Sequence, residues 1–260
     1  MSNSPLVLAF RHRSSLVLAG VFPVAYWALT SAAPTGAQLA VGGVLLAAGA
    51  SLRLWAARCL GKGARVHTAR ARDGVVDWGP YAWSRNPLYV AAGLILAGLG
   101  LFAGGGWWGL LLLPGTLLVY TPVVAREERA IREGEGAPYL DYQARVSRWF
   151  GLPARRQDSP PEAYPWKKVL RREVGLIPGL VSAAVGLLLV QRDVLPLRSL
   201  AEFTRERFGV GPGLLAGILL AAGAIVNSVL LERKHRRRRA RRAELTAAPG
   251  VLEPSSEVAA

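Results

Sequence analysis

The sequence is poor in the residues that build covalent or metal-held scaffolds. It has one cysteine, Cys59, so no disulfide can form within the chain. Cys59 falls at an expected helix end and reads as packing rather than chemistry. The three histidines, His12, His67 and His235, lie far apart. No Cys or carboxylate cluster has metal-ligand spacing, so no metal is expected. Acids are scarce, with 17 Asp and Glu against 32 Lys and Arg, which leaves a net charge of +15. There is no internal repeat. Gly98-Leu99-Gly100 lies inside an apolar run and follows no strand, which excludes a dinucleotide loop there.

What the chain has instead is apolar length. Hydrophobic residues make up 52% of it, and they are segregated from the charges. Long Leu, Ala, Val and Gly runs alternate with arginine-dense stretches, a pattern that excludes a soluble globular domain. A helix needs roughly 20 apolar residues to cross the hydrocarbon core, and helices satisfy their backbone hydrogen bonds internally there. Six runs qualify: about Ser15 to Ala32, Gln38 to Leu54, Pro87 to Ala103, Trp107 to Val124, Val174 to Val190 and Gly211 to Leu231. The expected fold is an all-α, polytopic membrane helix bundle of about six transmembrane helices. The third and fourth runs, separated by Gly104, Gly105 and Gly106, should form a tight hairpin. The first run also resembles a signal peptide, with Arg11 and Arg13 before it and Ser31-Ala32-Ala33 after it; the membrane helix is the preferred reading.

Charge sets the orientation, because short loops rich in Lys and Arg stay cytoplasmic. Lys62, Arg65, Arg70, Arg72 and Arg85 mark one such stretch. Residues 126–172 form a second, and Arg233, Lys234 and Arg236 to Arg239 a third. The turns near Pro34 and Gly105 have no Lys or Arg. The expected location is the cell (inner) membrane, multi-pass, with both termini cytoplasmic. One loop resists the rule. Residues 191–210 should lie outside, yet hold Arg192, Arg198, Arg205 and Arg207, with Asp193, Glu202 and Glu206 beside them.

The chain divides into an N-terminal helix pair (1–60), a core of helical hairpin plus amphipathic helix (61–150) and a proline-rich linker (151–173). A C-terminal helix pair (174–231) and a basic, then disordered tail (232–260) follow. The chemistry lies in the core. Gly79-Pro80-Tyr81-Ala82-Trp83-Ser84-Arg85-Asn86-Pro87-Leu88-Tyr89 sets aromatics and one Arg at a helix start. Either this is an interfacial belt, in which Tyr and Trp anchor and Arg snorkels, or it is a ligand site. In the second case free N–H groups, a guanidinium fork and stacking rings converge. Arg126-Glu127-Glu128-Arg129-Ala130-Ile131-Arg132 closes the fourth run. It reads as a solvated helix end with pairs four apart, or as a carboxylate meeting a cationic ligand group. Tyr139, Tyr142, Val146 and Trp149 share a helix face that rests on the membrane surface or caps a pocket. Arg53, near the cytoplasmic end of the second run, either snorkels to lipid phosphates or faces the bundle.

The order Gly79-Pro80-Tyr81, Ser84-Arg85-Asn86-Pro87, Tyr89, hairpin, Glu127-Glu128, Gly136, Tyr139-x-x-Tyr142 resembles the isoprenylcysteine carboxyl methyltransferases and their bacterial relatives. That group is similar in turn to the phospholipid methyltransferases. The resemblance covers about residues 61–150. It implies a membrane methyltransferase that uses S-adenosylmethionine, held on the cytoplasmic side between the hairpin and the amphipathic helix. It also implies cofactor contacts from Asp73, Val76, Tyr81, Arg85, Asn86, Pro87, Leu88, Tyr89, Glu127, Tyr139 and Tyr142. Arg85, Glu128 and Arg53 are the candidate catalytic residues.

The sequence departs from the eukaryotic members at Asn86 and Asp73, where they have His, and at Val123, where they place an arginine thought to engage the substrate carboxylate. Gly134-Glu135 replaces their aromatic pair. The acceptor is therefore open among an isoprenylcysteine-like carboxylate, a lipid and another apolar molecule. The run Arg233 to Arg242 follows a membrane helix directly, so it reads as a contact with anionic lipid heads rather than with nucleic acid. Two other functions remain at this stage: an NADPH-dependent membrane reductase of similar helical core, and a non-catalytic membrane protein.

Overall fold

A computed structural model of the chain describes residues 13–61, 70–71, 74–152 and 164–218. The described residues are almost wholly helical. The long helices are α1 (Arg13–Thr30), α2 (Gly36–Leu60), α3 (Pro87–Phe102) and α4 (Leu112–Glu135). They are followed by α5 (Ala137–Arg145), α6 (Trp166–Arg172), α7 (Leu176–Gln191) and α8 (Leu197–Phe208). One two-residue antiparallel ladder, Arg70–Ala71 with Gly74–Val75, interrupts them. Met1–Ala216 forms one compact unit and Gly217–Ala260 another.

Local chemistry fixes the helix ends. Thr35 caps α2: its hydroxyl accepts from the Gln38 N–H at 3.3 Å, and the Gln38 side chain accepts from the Thr35 N–H at 2.8 Å. This reciprocal box satisfies two N–H groups that a helix start leaves orphaned. Pro87 opens α3, where its missing N–H costs little. Gly136, at φ +63°, ends α4 and turns the chain directly into α5.

Among the described residues, two helices are long and apolar enough to cross a membrane: α2, and the continuous helical stretch Gly106–Glu135 that ends in α4. At 1.5 Å per residue, the 25 residues of α2 reach about 37 Å, more than the ~30 Å hydrocarbon core. Residues 21–30, α3 and α7 are apolar but shorter. The expected hairpin is present as α3, a turn through Ala103, Gly104 and Gly105, and α4. Gly104 takes φ +81°, and a Cβ there would run into the Ala32 carbonyl oxygen. Most of the sixth expected run lies outside the described residues; residues 212–218 are helical.

The closest packing is between α2 and α3. A Cβ on Gly49 would stand 2.8 Å from Ile95 Cγ1 and 2.9 Å from the Ala91 carbonyl oxygen. A Cβ on Gly98 would stand 2.8 Å from the Gly42 carbonyl oxygen. Lipid supplies no hydrophobic drive between helices, so close backbone approach through small residues is what holds such pairs. At the hairpin turn, α1 and α7 join through Val24, Ala28, Ala103 and Val190. The opposite end collects α5, α6 and the segment Gly79–Ala82, so the polar chemistry gathers at one end of the bundle.

Gly49→Leu should force α2 and α3 apart and cost about 1–3 kcal/mol. Gly43→Leu, with nothing within 4 Å of its added Cβ, should leave stability unchanged. Thermal unfolding of both variants in detergent checks the contrast.

Candidate active site

Glu127 and Glu128 are adjacent on α4, so helix geometry turns them about 100° apart. Both are buried, at 4% and 2% exposure. The expectation of a solvated helix end therefore fails for both carboxylates. Their surroundings differ.

Glu128 is a hub. Arg85 donates to it from Nε at 3.0 Å and from Nη2 at 3.4 Å. Arg148 donates from Nε at 3.2 Å and Nη2 at 2.8 Å, and Asn86 Nδ2 adds a bond of 3.1 Å. The remaining donor of Arg85, Nη1, reaches the Gln143 and Val146 carbonyls, each at 3.0 Å. The Arg85 N–H donates to the Ser147 carbonyl at 3.0 Å. Ser84 Oγ and Asn86 Nδ2 both donate to the Arg148 carbonyl. The start of α3, the polar end of α4 and the chain after α5 are thus stitched together around one carboxylate.

Glu127 faces a different environment. Its Oε2 accepts from the Tyr89 hydroxyl at 3.1 Å. The Tyr89 and Tyr120 rings lie 4.8 Å apart. Leu117, Val123 and Val124 close the apolar wall, with Trp149 against it. This pairs a carboxylate with aromatic faces, a combination suited to a cationic or polyhydroxyl ligand.

The tyrosines expected at the site are buried, not belt-forming. Tyr81, Tyr139 and Tyr142 are at most 2% exposed. Tyr142 donates to the Tyr81 carbonyl at 2.8 Å, and its ring packs on Tyr139. The apolar face of α5 therefore rests on Ile131 and Val75 of the protein rather than on a membrane surface. Trp83 alone of the Tyr81–Tyr89 aromatics is exposed. Burial pushes all three phenols up, reinforced for Tyr81 by neighbouring Tyr142, for Tyr139 by Glu128 and for Tyr142 by Tyr139.

The remaining candidates are placed as follows. Val76 packs with Tyr81, Leu88 and Cys59 in one apolar cluster, and Pro87 is buried at the start of α3. Cys59 takes the packing role read from the sequence. Arg53 pairs with Glu173 at 3.1 Å, fastening α2 to the turn between α6 and α7. Asp73 lies outside the described residues. Sequence reasoning missed Arg148 and quoted Ser84 within its motif without giving it a role. The only signal for Arg148 was its place beside Trp149, at the end of the Tyr139–Tyr142–Val146 face.

Residues 37–134 match the phospholipid methyltransferase family. This stretch of the chain resembles that family. It holds both membrane-length helices, Tyr81 to Tyr89, Glu127 and Glu128, and covers less than half of the 260 residues. The likeness read from Tyr81, Asn86-Pro87, Tyr89 and Glu127-Glu128 thus holds at the level of the wider methyltransferase group. No curated protein and no solved structure matches the chain.

Two predictions come from this geometry. Glu128→Gln strips the counter-charge from a buried Arg85 and should cost about 3–5 kcal/mol, and the double variant Arg85→Met/Glu128→Met should recover part of that loss. Unfolding in detergent measures both. The second concerns pH. A tyrosine in the unfolded chain titrates near ~10, while these folded phenols hold their protons to higher pH. Stability is complete below about pH 10 and falls as pH rises from there through the folded values. Tyr142→Phe should lower stability at neutral pH by about 0.5–1.5 kcal/mol and flatten the alkaline fall.

Proposed function

We propose that this chain is an integral membrane methyltransferase that moves a methyl group from S-adenosylmethionine to a lipophilic acceptor. The observation that carries the reading is the family match, which spans both Tyr89 and the Glu127 carboxylate it meets.

The donor set fits the cofactor. A buried carboxylate beside two tyrosine rings accepts hydrogen bonds and favours positive charge. The cofactor carries an ammonium, a sulfonium and ribose hydroxyls, and when bound it supplies an activated methyl for displacement. Glu127 takes the ammonium or the ribose hydroxyls. Tyr89 fixes the Glu127 carboxylate, and Tyr120 backs the Tyr89 ring. Tyr81 and the Asn86-Pro87-Leu88-Tyr89 turn form the neighbouring wall, and Tyr139 and Tyr142 close it from α5. Arg85 and Glu128 hold these walls in register, because their hydrogen-bonding groups already engage one another and the chain after α5. Arg53, held by Glu173, braces α2 from the same end. The protein's task is to align an acceptor nucleophile with the methyl and keep water out.

Val123 bears on the acceptor. It sits one helical turn before Glu127 and is 1% exposed among Leu117, Tyr120 and Val124. No cation stands at that position to receive a carboxylate. The acceptor is an apolar molecule with an O, N or S nucleophile, met at the polar, cytoplasmic end of the bundle.

The test is equilibrium binding of S-adenosylmethionine to the full chain in nanodiscs, with NADPH in parallel. Micromolar or tighter binding of the methyl donor is expected. Glu127→Gln should weaken it by roughly 10- to 100-fold, the value of a charge-assisted hydrogen bond of ~1.5–3 kcal/mol. Binding of NADPH alone, or of neither in a folded preparation, would overturn the proposal.

A further inference from the structure

The loop that breaks the charge rule is a helix, and its surface says what covers it. Residues 197–208 form α8 at the end of the bundle remote from Glu127 and Glu128. Its position there is fixed. Leu197 and Ala201 pack on Leu29, Leu215 and Ala216. Gln191 donates from its side chain to the Ala103 carbonyl at the hairpin turn, and its own amide oxygen accepts from Arg198 at 3.3 Å.

At 100° per residue, Leu197, Ala201, Thr204 and Phe208 make one stripe of α8. Leu200 and Phe203 lie on the adjoining strip with Arg207 between them, and Ser199, Glu202 and Glu206 lie opposite. The protein buries Ala201 and half-covers Leu197 and Thr204 of the first stripe. Leu200 and Phe203 stay exposed, Phe203 at 56%, as do Phe208 at the helix end and Val194 and Leu195 just before it. The apolar arc of α8 is thus wider than the surface it packs on.

The same end of the bundle exposes Trp107 and Trp108, the latter at 73%. Exposed aromatics at the end of membrane-length helices mark the water–lipid boundary. The uncovered strip of α8 lies at the end of the bundle that this boundary marks. An amphipathic helix with a basic residue within its apolar strip suits the layer between head groups and acyl chains, where the arginine reaches lipid phosphate.

We propose that α8 lies in the membrane interface, with Leu200 and Phe203 in the acyl boundary and Arg207 on lipid phosphate. Arg198, Arg205 and Arg207 then belong to an interfacial helix and not to a free loop, which accounts for their place opposite the other basic segments. This proposal is independent of the methyltransferase reading.

Site-directed spin labels test it on the full chain in phosphatidylglycerol/phosphatidylethanolamine nanodiscs, in a Cys59→Ala background. Phe203→Cys and Leu200→Cys labels should collide several-fold more with oxygen than with a water-soluble nickel chelate. Glu202→Cys and Glu206→Cys labels should show the reverse. Equal nickel access at all four positions would overturn the proposal in favour of a helix in water. Spin–spin broadening at 200 and 203 would overturn it in favour of a second copy of the chain on that face. If Phe203→Cys does not fold, the Leu200 and Glu202 pair decides alone.

Discussion

The polar end of this bundle depends on the burial of one negative charge. A carboxylate removed from water loses its hydration, and only close, well-aligned donors repay that loss. Glu128 has five such contacts, from Arg85, Arg148 and Asn86. The donors arrive on two separate parts of the chain: Arg85 and Asn86 at the start of α3, and Arg148 on the coil after α5. Because Arg85 also binds the Gln143 and Val146 carbonyls, the position of α5 follows from that of Glu128. The tyrosine wall of Tyr81, Tyr139 and Tyr142 follows in turn from the position of α5.

That arrangement explains how two neighbouring glutamates divide their work. Residues i and i+1 on a helix point in different directions, so a Glu-Glu pair cannot serve one ligand in the same way. Glu128 turns toward arginines and becomes structural. Glu127 turns toward Tyr89 and the apolar wall. A charge held by a hydroxyl in apolar surroundings favours a cationic ligand group, whereas one met by two guanidiniums does not. The division follows from a single peptide step at the end of α4.

The helices were legible because apolar length is a local property. The runs beginning near Ser15 and Pro87 overrun the ends of α1 and α3 by no more than two residues, those beginning near Gln38 and Trp107 lie within α2 and the Gly106–Glu135 stretch, and the three glycines at 104–106 marked the hairpin. Partner choice was not legible. Arg85 and Glu128 are 43 positions apart, Arg53 and Glu173 are 120 apart, and nothing in either neighbourhood names the other. Periodicity showed that Tyr139, Tyr142 and Val146 share a face, but that face looks alike whether it meets lipid or Ile131 and Val75. The same ambiguity left residues 191–210 as a charge count, because counting arginines does not register the stripe that Leu197, Ala201 and Phe208 make on a helix.

Val123 shows how a departure from a family pattern acquires physical content. A cation there would sit on the face of α4 that carries Tyr120 and packs against Tyr89, one turn before Glu127, in a buried apolar cluster. It would also lie close enough along the helix to compensate Glu127 directly, since residues four apart are neighbours. Valine supplies no charge there, and the Glu127 carboxylate accepts from the Tyr89 hydroxyl. Val123 is therefore of one kind with the apolar wall around it. A carboxylate brought to this point would meet the like charge of Glu127, while an uncharged group would meet the apolar and aromatic wall beside it.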